Sequence, residues 1–383
     1  MINRKLEALI NDNLHYFPVI TITGPRQSGK TTLIRSMFKS LPYYSLENPD
    51  TRALAISDPM SFLTQHVEGM VLDEVQNVPE LLSYIQGIVD EHHDRRYILS
   101  GSSQFKLQNS ITQSLAGRTA VLELYPLAIN EVADILADDN ADHLMLQGFY
   151  PAIYAGDNIP RLFYPAYLHT YLERDVRQLL QVKDLYQFQT FLRLCAGRIG
   201  NLFNASELSN EVGVSVNTVR SWLSILQASY ILFMVHPYSE NSRKRLTKTP
   251  KIYFYDTGLA CYMLGIENEA QLSSDRMRGH LFENMVVADM VKRRAHEGKN
   301  TDLMFYRDSN GNELDLLVPV GQSLEGYEIK SSTTYNNTFE KGFHSVTDRL
   351  NTRLVRRAVV YGGTQERLNA PIEVLNYNTL LSV

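Results

Sequence analysis

One segment limits what this chain can fold into more than any other. Residues 24–31 read Gly24-Pro25-Arg26-Gln27-Ser28-Gly29-Lys30-Thr31 and fit the pattern G-x-x-x-x-G-K-[ST]. An apolar run at residues 17–22 precedes it and a helical pattern at Thr31–Met37 follows it, which is the strand–loop–helix context that the pattern requires. Glycines let backbone N–H groups turn toward a phosphate chain without a Cβ in the way. The segment, with the adjoining Thr32, therefore predicts a binding site for a nucleoside triphosphate.

Two side chains of this loop and two of a later strand complete the predicted chemistry. Lys30 can reach the β- and γ-phosphates, and the Thr31 hydroxyl can ligate Mg²⁺. The apolar run 69–72 ends in Asp73 and Glu74, which is typical of a buried parallel strand whose carboxyl end faces the nucleotide. We expect Asp73 to hold Mg²⁺, directly or through water, and Glu74 to polarise the attacking water as a general base. The alternative is a strand that runs into a solvated turn.

Two further segments supply additional candidates. Residues 96–103 form another strand pattern that ends in hydroxyls. Ser100 or Ser102 would sense the γ-phosphate or position the water there, unless they only form a turn. Arg118 lies just before the strand pattern at residues 119–124. It is either an arginine finger that acts on a neighbouring subunit's nucleotide, which would require a homo-oligomer, or a surface arginine.

The composition is that of an ordinary globular protein. With 44% hydrophobic and 21% charged residues in a chain of 383, we expect two or three domains. Cys195 and Cys261 are too few for a disulfide framework or a structural zinc site, so a reducing, cytoplasmic setting fits best. No run approaches membrane-spanning length, and no membrane partner is expected. The net charge of −5 means that any DNA binding needs a local basic surface.

The first of three predicted domains covers residues 1–135. Apolar strand patterns alternate with amphipathic helices there, which predicts an α/β fold with a parallel sheet covered on both faces. We expect a P-loop NTPase of the AAA-like (ASCE) class, in which an extra strand lies between the phosphate loop and the acidic strand. A helix is expected at Pro79–His92, with Pro79 in its first turn. The candidate strands are Val19–Thr23, Tyr43–Leu46, Met70–Leu72, Tyr97–Leu99 and Ala120–Leu124.

Residues 136–265 predict a helical linker and a winged-helix-like module. A long helical pattern at Leu162–Leu180 is followed by a helix-turn-helix pattern at residues 204–223, with its turn at Gly213 and a second helix capped by Ser215 or Val216-Asn217. Strand patterns at residues 230–235 and 251–255 then enclose a basic loop. The alternatives to DNA contact are an interdomain packing module and a solvated charged surface. The candidate DNA contacts are Arg220, Arg243, Lys244, Arg245 and Lys248.

Residues 266–383 contain a third group of charged side chains. Asp315 lies on one strand pattern, and Glu328 and Lys330 lie on the adjacent strand of a predicted hairpin. The carboxylates could ligate Mg²⁺ together with Glu283 of the preceding helix, while Lys330 orients a water that attacks a phosphodiester. On the pattern alone, a solvated sheet face with alternating charge is the simpler interpretation.

Nearly the whole chain resembles one family, the prokaryotic AAA-type ATPases that carry a C-terminal domain called DUF4143. The matching segments are Gly24–Thr31 (its Walker A), Val71–Glu74 (its Walker B), Leu99–Ser103, Ser114–Arg118, Gly148–Pro151 and Tyr171–Asp175. The resemblance implies ATP as the nucleotide, Mg²⁺ as the metal, a winged-helix-like middle and a restriction-endonuclease-like α/β domain at residues 266–383. Glu283, Asp315, Glu328 and Lys330 would fall on the PD-(D/E)xK pattern of that fold, with Leu314 where the name motif has proline.

We therefore expect Mg²⁺-dependent ATP binding and hydrolysis coupled to DNA binding or processing. One alternative is a regulatory switch that binds ATP and rarely turns it over. Another is a DNA-binding protein whose nuclease-fold domain is catalytically inactive. Stimulation of ATP hydrolysis by DNA distinguishes the first possibility from the regulatory switch. Metal-dependent nicking of DNA that is lost in Asp315→Ala or Lys330→Ala would exclude the second alternative.

Overall fold

The computed structural model describes residues 2–102, 114–133, 135, 140–156, 159–171, 185–239, 249–346 and 348–382. Contacts divide the chain into two compact units. The first comprises Met1–Leu127, Ala228–Tyr230 and Arg293–Lys299. The second comprises Ala128–Gln227, Ile231–Lys292 and Asn300–Val383.

A five-stranded parallel sheet forms the centre of the first unit, in the order β2-β3-β4-β1-β5. Successive residues of its strands face opposite sides, so Val19 and Leu72 lie in one apolar cluster while Ile20 and Val71 lie in another. Both faces are therefore covered. The strands are β1 Val19–Thr23, β2 Tyr43–Ser45, β3 Gly69–Asp73, β4 Arg96–Gly101 and β5 Thr119–Glu123, and the helices are α1 Leu6–Leu14, α2 Lys30–Met37, α3 Pro49–Ser57, α4 Pro59–Thr64 and α5 Leu81–Glu91.

This sheet has the extra strand that was expected between the phosphate-loop strand and the acidic strand. β4 lies between β1, which leads into the phosphate loop, and β3, which ends in Asp73. The five predicted strands agree with the observed ones to within two residues at each end. The helix predicted at Pro79–His92 begins later, at Leu81, so the prediction that Pro79 lies in its first turn is wrong. A short 3-10 turn, Val75–Asn77, occupies the approach to that helix instead.

The chain then continues through helices into a second sheet. Helix Pro160–Tyr171 overlaps the helix predicted at Leu162–Leu180, whose residues 172–180 lie outside the described residues. The helices are α6 Ile129–Val132, α7 Ala141–Gln147, α8 Pro151–Tyr154, α9 Pro160–Tyr171, α10 Leu185–Ala196, α11 Ala205–Val212, α12 Val216–Ala228, α13 Thr257–Leu264, α14 Glu269–Ser274, α15 Arg278–His296, α16 Lys341–Ser345, α17 Asp348–Asn351 and α18 Tyr377–Ser382. The strands are β6 Leu232–Pro237, β7 Lys251–Phe254, β8 Met304–Arg307, β9 Glu313–Val320, β10 Ser323–Lys330, β11 Leu354–Tyr361 and β12 Glu373–Asn376.

Helices α11 and α12 have the local signals of a helix-turn-helix. The Asn204 side chain accepts hydrogen bonds from two backbone N–H groups and caps α11. Gly213 ends that helix in the left-handed conformation, at φ +77°. The Ser215 hydroxyl accepts from the Thr218 N–H at 3.1 Å, which caps α12 as the sequence predicted. Trp222 of α12 packs against Phe188 of α10, with ring centroids 5.3 Å apart.

The second sheet crosses the predicted boundary at residue 265. Its order is β12-β11-β10-β9-β8-β6-β7, so β6 and β7, predicted for the middle domain, share a sheet with the C-terminal strands. β6 pairs antiparallel with β7 and parallel with β8 through His236 and Pro237. Contacts group the strands on both sides of residue 265 into one unit. The division of the chain into three domains at residues 135 and 265 stays a prediction.

Two observations, on membrane-spanning helices and on the cysteines, concern the described residues only. No helix in the described ranges combines the length and the apolar character needed to span a membrane. Cys195 and Cys261 are free and buried, and burial raises the pKa of each thiol. Cytoplasmic location stays a prediction.

Candidate active site

The phosphate loop lies where β1 gives way to α2. Gly24 has φ +145°, and a Cβ at this position would lie 2.2 Å from the carbonyl oxygen of Leu124, so the close approach of two backbone segments requires glycine. Gly29, at φ +92°, precedes the first residue of α2. The Lys30 ammonium donates to the carbonyl oxygens of Gly24 and Pro25 at 2.9 and 2.7 Å. A bend followed by a helix N-terminus is the backbone geometry that favours a bound phosphate.

The other residues of the loop differ in exposure. Gln27 and Thr32 are exposed, Arg26 is half-buried and Ser28 is buried. Gln27 has φ +59°, a conformation that non-glycine residues adopt rarely and mainly where the surroundings impose it. Such a strained position inside a loop is consistent with a backbone shaped for a ligand.

Asp73, at the carboxyl end of β3, is the centre of a hydrogen-bond network. One carboxylate oxygen accepts from the Thr31 hydroxyl at 2.9 Å and from the Tyr43 hydroxyl. The other accepts from the Ser100 hydroxyl of β4. Burial and the neighbouring Asp73 raise the pKa of Tyr43. The structure therefore brings together Thr31 and Asp73, the two residues that we predicted to hold Mg²⁺.

Glu74 follows Asp73 in a strained conformation. Its φ of +58° lies in the left-handed region, which is rare for a residue with a long side chain. Its carboxylate accepts from the Ser102 hydroxyl at 3.2 Å and from the Gln76 amide. Strained backbone of this kind concentrates at functional sites. The arrangement places the Ser102 hydroxyl beside the Glu74 carboxylate.

Arg118 lies at the other edge of this sheet. It directly precedes β5, and its carbonyl oxygen accepts from the N–H of Val19, the first residue of β1. Its guanidinium makes two parallel hydrogen bonds to the Asp90 carboxylate, at 2.6 and 2.7 Å. The phosphate loop follows the opposite, carboxyl end of β1. Arg118 therefore does not join the site of its own chain, and its role in a neighbouring subunit stays a prediction.

Two residues near the loop were missed by the sequence analysis. The buried Arg4 donates to the carbonyl oxygens of Ser28 and Tyr125, at 2.7 and 2.8 Å. Tyr43 contacts Asp73, as described above, and the Arg35 guanidinium lies 4.0 Å from its ring centroid. Neither residue belongs to a motif. The contacts of Arg4 with Ser28 and of Tyr43 with Asp73 join residues 24 and 30 positions apart in the chain, so no local pattern could have indicated them.

The chemistry of these groups fits a magnesium nucleotide. Mg²⁺ prefers oxygen ligands and is commonly held by one or two protein groups together with substrate phosphates and waters. The Thr31 hydroxyl and the Asp73 carboxylate are such a pair, and they lie within 2.9 Å of each other at the helix N-terminus. Lys30 supplies the positive charge beside them.

The C-terminal charged residues form a second, separate cluster. Lys330 Nζ lies 2.9 Å from Asp315 and 2.6 Å from Glu328, and the Ile329 N–H donates to Asp315 at 2.8 Å. The β9–β10 hairpin therefore brings these residues to one face, as predicted. Glu283, from α15, accepts from the Tyr253 hydroxyl and lies 3.3 Å from Lys251 Nζ.

Lys251 is a member of this cluster that the sequence analysis missed. It is 3% exposed, and its ammonium also pairs with Glu313 at 2.5 Å. Burial disfavours its charge, but Glu283, Asp315 and Glu313 outweigh that effect and raise its pKa. Its place in the sequence, just after the basic loop that was predicted to contact DNA, gave no sign that its ammonium would be buried beside carboxylates.

Charges in this cluster compensate one another. Burial raises the pKa of Glu283, and burial together with the adjacent Asp315 raises the pKa of Glu328 to about 8. Burial also opposes ionisation of Asp315, yet Lys330 and Lys251 hold its pKa below the usual range. The two internal ammonium groups thus stabilise the Asp315 carboxylate, whereas burial favours the neutral forms of Glu283 and Glu328.

These residues do not fit a metal centre as they are arranged. Their oxygens are suitable ligands, but Lys251 and Lys330 already pair with Glu283, Asp315 and Glu328. Throughout the described part of the chain, no three Asp, Glu, His or Cys side chains are grouped so that they could share a metal ion. The predicted metal role of Glu283, Asp315 and Glu328 gains no support from this geometry.

The candidate DNA contacts are only partly described. Arg220 is exposed on α12, on the same side as the exposed Asn217, Ser221 and Ser224. The basic loop with Arg243, Lys244, Arg245 and Lys248 lies outside the described residues. Contact between these groups and DNA stays a prediction.

Comparisons with known proteins agree with the phosphate loop and with the resemblance noted from the sequence. The chain matches an AAA domain over residues 16–133 and two domains of unknown function, DUF8612 over 138–270 and DUF4143 over 278–380. It is 31% identical over 365 residues to the uncharacterized proteins Rv2008c of Mycobacterium tuberculosis and Mb2031c of Mycobacterium bovis, over 94% of this chain and 80% of each relative. The Walker-type ATPase PABY2304 of Pyrococcus abyssi shares the fold, with a TM-score of 0.50, 14% identity and coverage of 69% of this chain and 96% of that one. The chain belongs to the family of AAA-type P-loop ATPases with a C-terminal DUF4143 domain.

Proposed function

We propose that this protein hydrolyses ATP with Mg²⁺ and couples hydrolysis to DNA binding. One observation carries the ATPase part: the Lys30 ammonium, the Thr31 hydroxyl and the Asp73 and Glu74 carboxylates are held at the carboxyl ends of two strands of one parallel sheet. Ligands of open α/β sheets bind at this edge. The family assignment supports the same function.

Each of these side chains has a definable task in hydrolysis. Backbone N–H groups of residues 24–31 and Lys30 would bind the β- and γ-phosphates, which orients the terminal phosphorus toward Glu74. Thr31 and Asp73 would hold Mg²⁺, which neutralises charge on the phosphate oxygens. The Glu74 carboxylate would accept the proton of the attacking water, with Ser102 fixing its orientation through the 3.2 Å hydrogen bond.

The DNA part of the proposal rests on α11, α12 and the segment after them. A capped helix, a tight turn and a second helix with exposed polar residues is the geometry of a recognition helix. The antiparallel pair β6–β7 that encloses the basic loop would make the module winged. Arg220 with Arg243, Lys244, Arg245 and Lys248 would then contact phosphates.

A second candidate concerns the C-terminal domain. The hairpin with Asp315, Glu328 and Lys330 beside helix α15 supports a restriction-endonuclease-like fold. The ion pairs of Lys251 and Lys330 favour the alternative in which this fold is catalytically inactive. ATP would then control DNA binding without strand cleavage.

A single assay tests both candidates. Purified protein, ATP, Mg²⁺ and radiolabelled plasmid are incubated together, and ATP hydrolysis and strand breaks are scored in the same samples. We expect plasmid to stimulate hydrolysis and the plasmid to stay intact. Slow ATP hydrolysis whose rate does not change with DNA would instead support the regulatory switch. Mg²⁺-dependent nicking that disappears in Asp315→Ala or Lys330→Ala would show that the C-terminal domain is an active nuclease.

Neutralising the basic loop is expected to weaken DNA binding and its salt dependence together. Each lost phosphate contact lowers the slope of log affinity against log salt by about 0.9. The triple variant Arg243→Gln, Lys244→Gln, Arg245→Gln should therefore lose about 2 to 3 from that slope. Fluorescence anisotropy of a labelled duplex across a salt series measures it.

The matched control removes the same amount of charge elsewhere. Lys39, Arg276 and Lys299 are exposed, so their replacement by Gln changes the net charge by the same three units. The control should keep the wild-type slope. Equal slopes for both triple variants would exclude the basic loop as the DNA contact.

A further inference from the structure

Tyr230 lies between α12 and β6 in an unusual conformation. The sequence predicted a strand from this residue, but β6 begins two residues later, at Leu232. Tyr230 has φ +57°, the left-handed region that bulky residues rarely occupy. It is only 2% exposed. A strained, buried tyrosine persists only where its surroundings hold it there.

The surroundings that hold Tyr230 are the carboxyl ends of β1 and β5. Its hydroxyl lies 3.1 Å from Thr23 Oγ1 and donates to Glu123 Oε1 at 3.0 Å. Its ring packs edge-on against Tyr125, with centroids 5.7 Å apart. Thr23 and Glu123 are paired in register as the last residues of their strands. One phenol therefore joins two strands immediately before the phosphate loop.

This position is next to the nucleotide-binding backbone. Thr23 directly precedes Gly24, and the carbonyl oxygen of Leu124 limits the space at Gly24. Any displacement of the loop on binding or hydrolysis of ATP must therefore be accommodated by the strand ends whose side chains Tyr230 contacts. Only Ser229 separates Tyr230 from the last residue of α12.

We propose that Tyr230 is the positioning residue that transmits the nucleotide state of the phosphate loop to helix α12. This inference rests on the proposed function, ATP hydrolysis coupled to DNA binding, and names the residues through which the coupling passes. Movement of Thr23 and Glu123 shifts the Tyr230 hydroxyl, and the short connection through Ser229 passes that shift to the C-terminal end of α12. The tyrosine touches neither substrate nor Mg²⁺; it acts through Thr23 and Glu123.

Hydrogen–deuterium exchange of the full-length protein tests this route without DNA. Uptake in peptides covering residues 216–228 is compared with and without Mg²⁺ and ATPγS. In the wild-type protein we expect nucleotide to change that uptake. Tyr230→Phe keeps the ring and loses both hydrogen bonds. In this variant the nucleotide-dependent change in deuterium uptake should be at least about twofold smaller than in the wild-type protein. The affinity for nucleotide should stay within about twofold. Tyr16→Phe, at a tyrosine that is 81% exposed, is the matched control and should keep the full response.

A second variant covers the case in which Tyr230→Phe does not fold. Thr23→Val keeps the β-branched shape and removes the hydroxyl partner, and it should also reduce the response of α12. The proposal is overturned if nucleotide binds and either wild-type α12 does not respond or both variants respond fully. Failure of the proposed function is separate, because it would appear as no nucleotide binding by the wild-type protein.

Discussion

The Glu74→Gln variant is expected to bind ATP about as well as the wild-type protein and to hydrolyse it at least about a hundredfold more slowly. Glutamine keeps the shape of the side chain and its ability to accept from Ser102, but it cannot take a proton from water. Positioned proton transfer contributes about 10²–10⁴-fold to enzymatic rates, which sets the expected size of the loss. Steady-state phosphate release at saturating ATP measures it.

The matched control for this prediction is Glu80→Gln. Glu80 lies six residues along the chain, is exposed, and makes no capping hydrogen bond to α5. Its replacement removes the same charge and should leave the turnover rate within about twofold. Equal turnover by Glu74→Gln and the wild-type protein would show that another group activates the water.

The Gly148→Ala variant is expected to lower the free energy of unfolding by about 3 kcal/mol or more, as strain and overpacking add. Gly148 has φ +66° and ψ −162°, a region that only glycine occupies readily. A Cβ there would lie 2.0 Å from the Tyr164 hydroxyl and 2.6 Å from an oxygen of Asp256. Asp256 accepts from the Phe149 and Leu259 N–H groups and from Tyr164, so the new atom would disrupt a buried network. The midpoint of urea unfolding reports the loss.

A second glycine provides the comparison. Gly279 lies in α15, has no positive φ, and a Cβ there would meet only the Ser331 hydroxyl at 3.9 Å. Gly279→Ala should be neutral or stabilise the protein by about 0.5–1 kcal/mol, since alanine is the better helix former. A Gly148→Ala protein as stable as the wild type would contradict the packing described around Asp256.

Local patterns were sufficient to predict the nucleotide site. Residues 24–31 adjoin one another in the chain, and Asp73 and Glu74 end an apolar strand, so each motif carries its own structural context. Parallel pairing then brings the carboxyl ends of strands to one edge, which is why Thr31 and Asp73 meet as expected. The adjacent carboxylates of Asp73 and Glu74 also predicted the extra strand that lies between β1 and β3.

Contacts between distant residues could not be predicted in this way. Arg4, Tyr230 and Lys251 have no motif, and their partners lie 24, 207 and 62 positions away, at Ser28, Thr23 and Glu313. Lys251 changes the interpretation of the C-terminal cluster, because its ammonium pairs with Glu283, one of the carboxylates considered as metal ligands from the sequence. For Arg118 the sequence showed that it precedes a strand, but only the structure shows that it lies at the opposite end of the sheet from the phosphate loop, and its role in a neighbouring subunit stays a prediction.

The central claim is that a triphosphate binds at the loop formed by residues 24–31. Isothermal titration of the wild-type protein and of Lys30→Ala with Mg²⁺ and ATP tests it most directly. We expect saturable binding by the wild-type protein and a loss of affinity of at least about tenfold in the variant, because the charge that faces the phosphates is gone. No binding by the folded wild-type protein, or equal binding by both proteins, would contradict it.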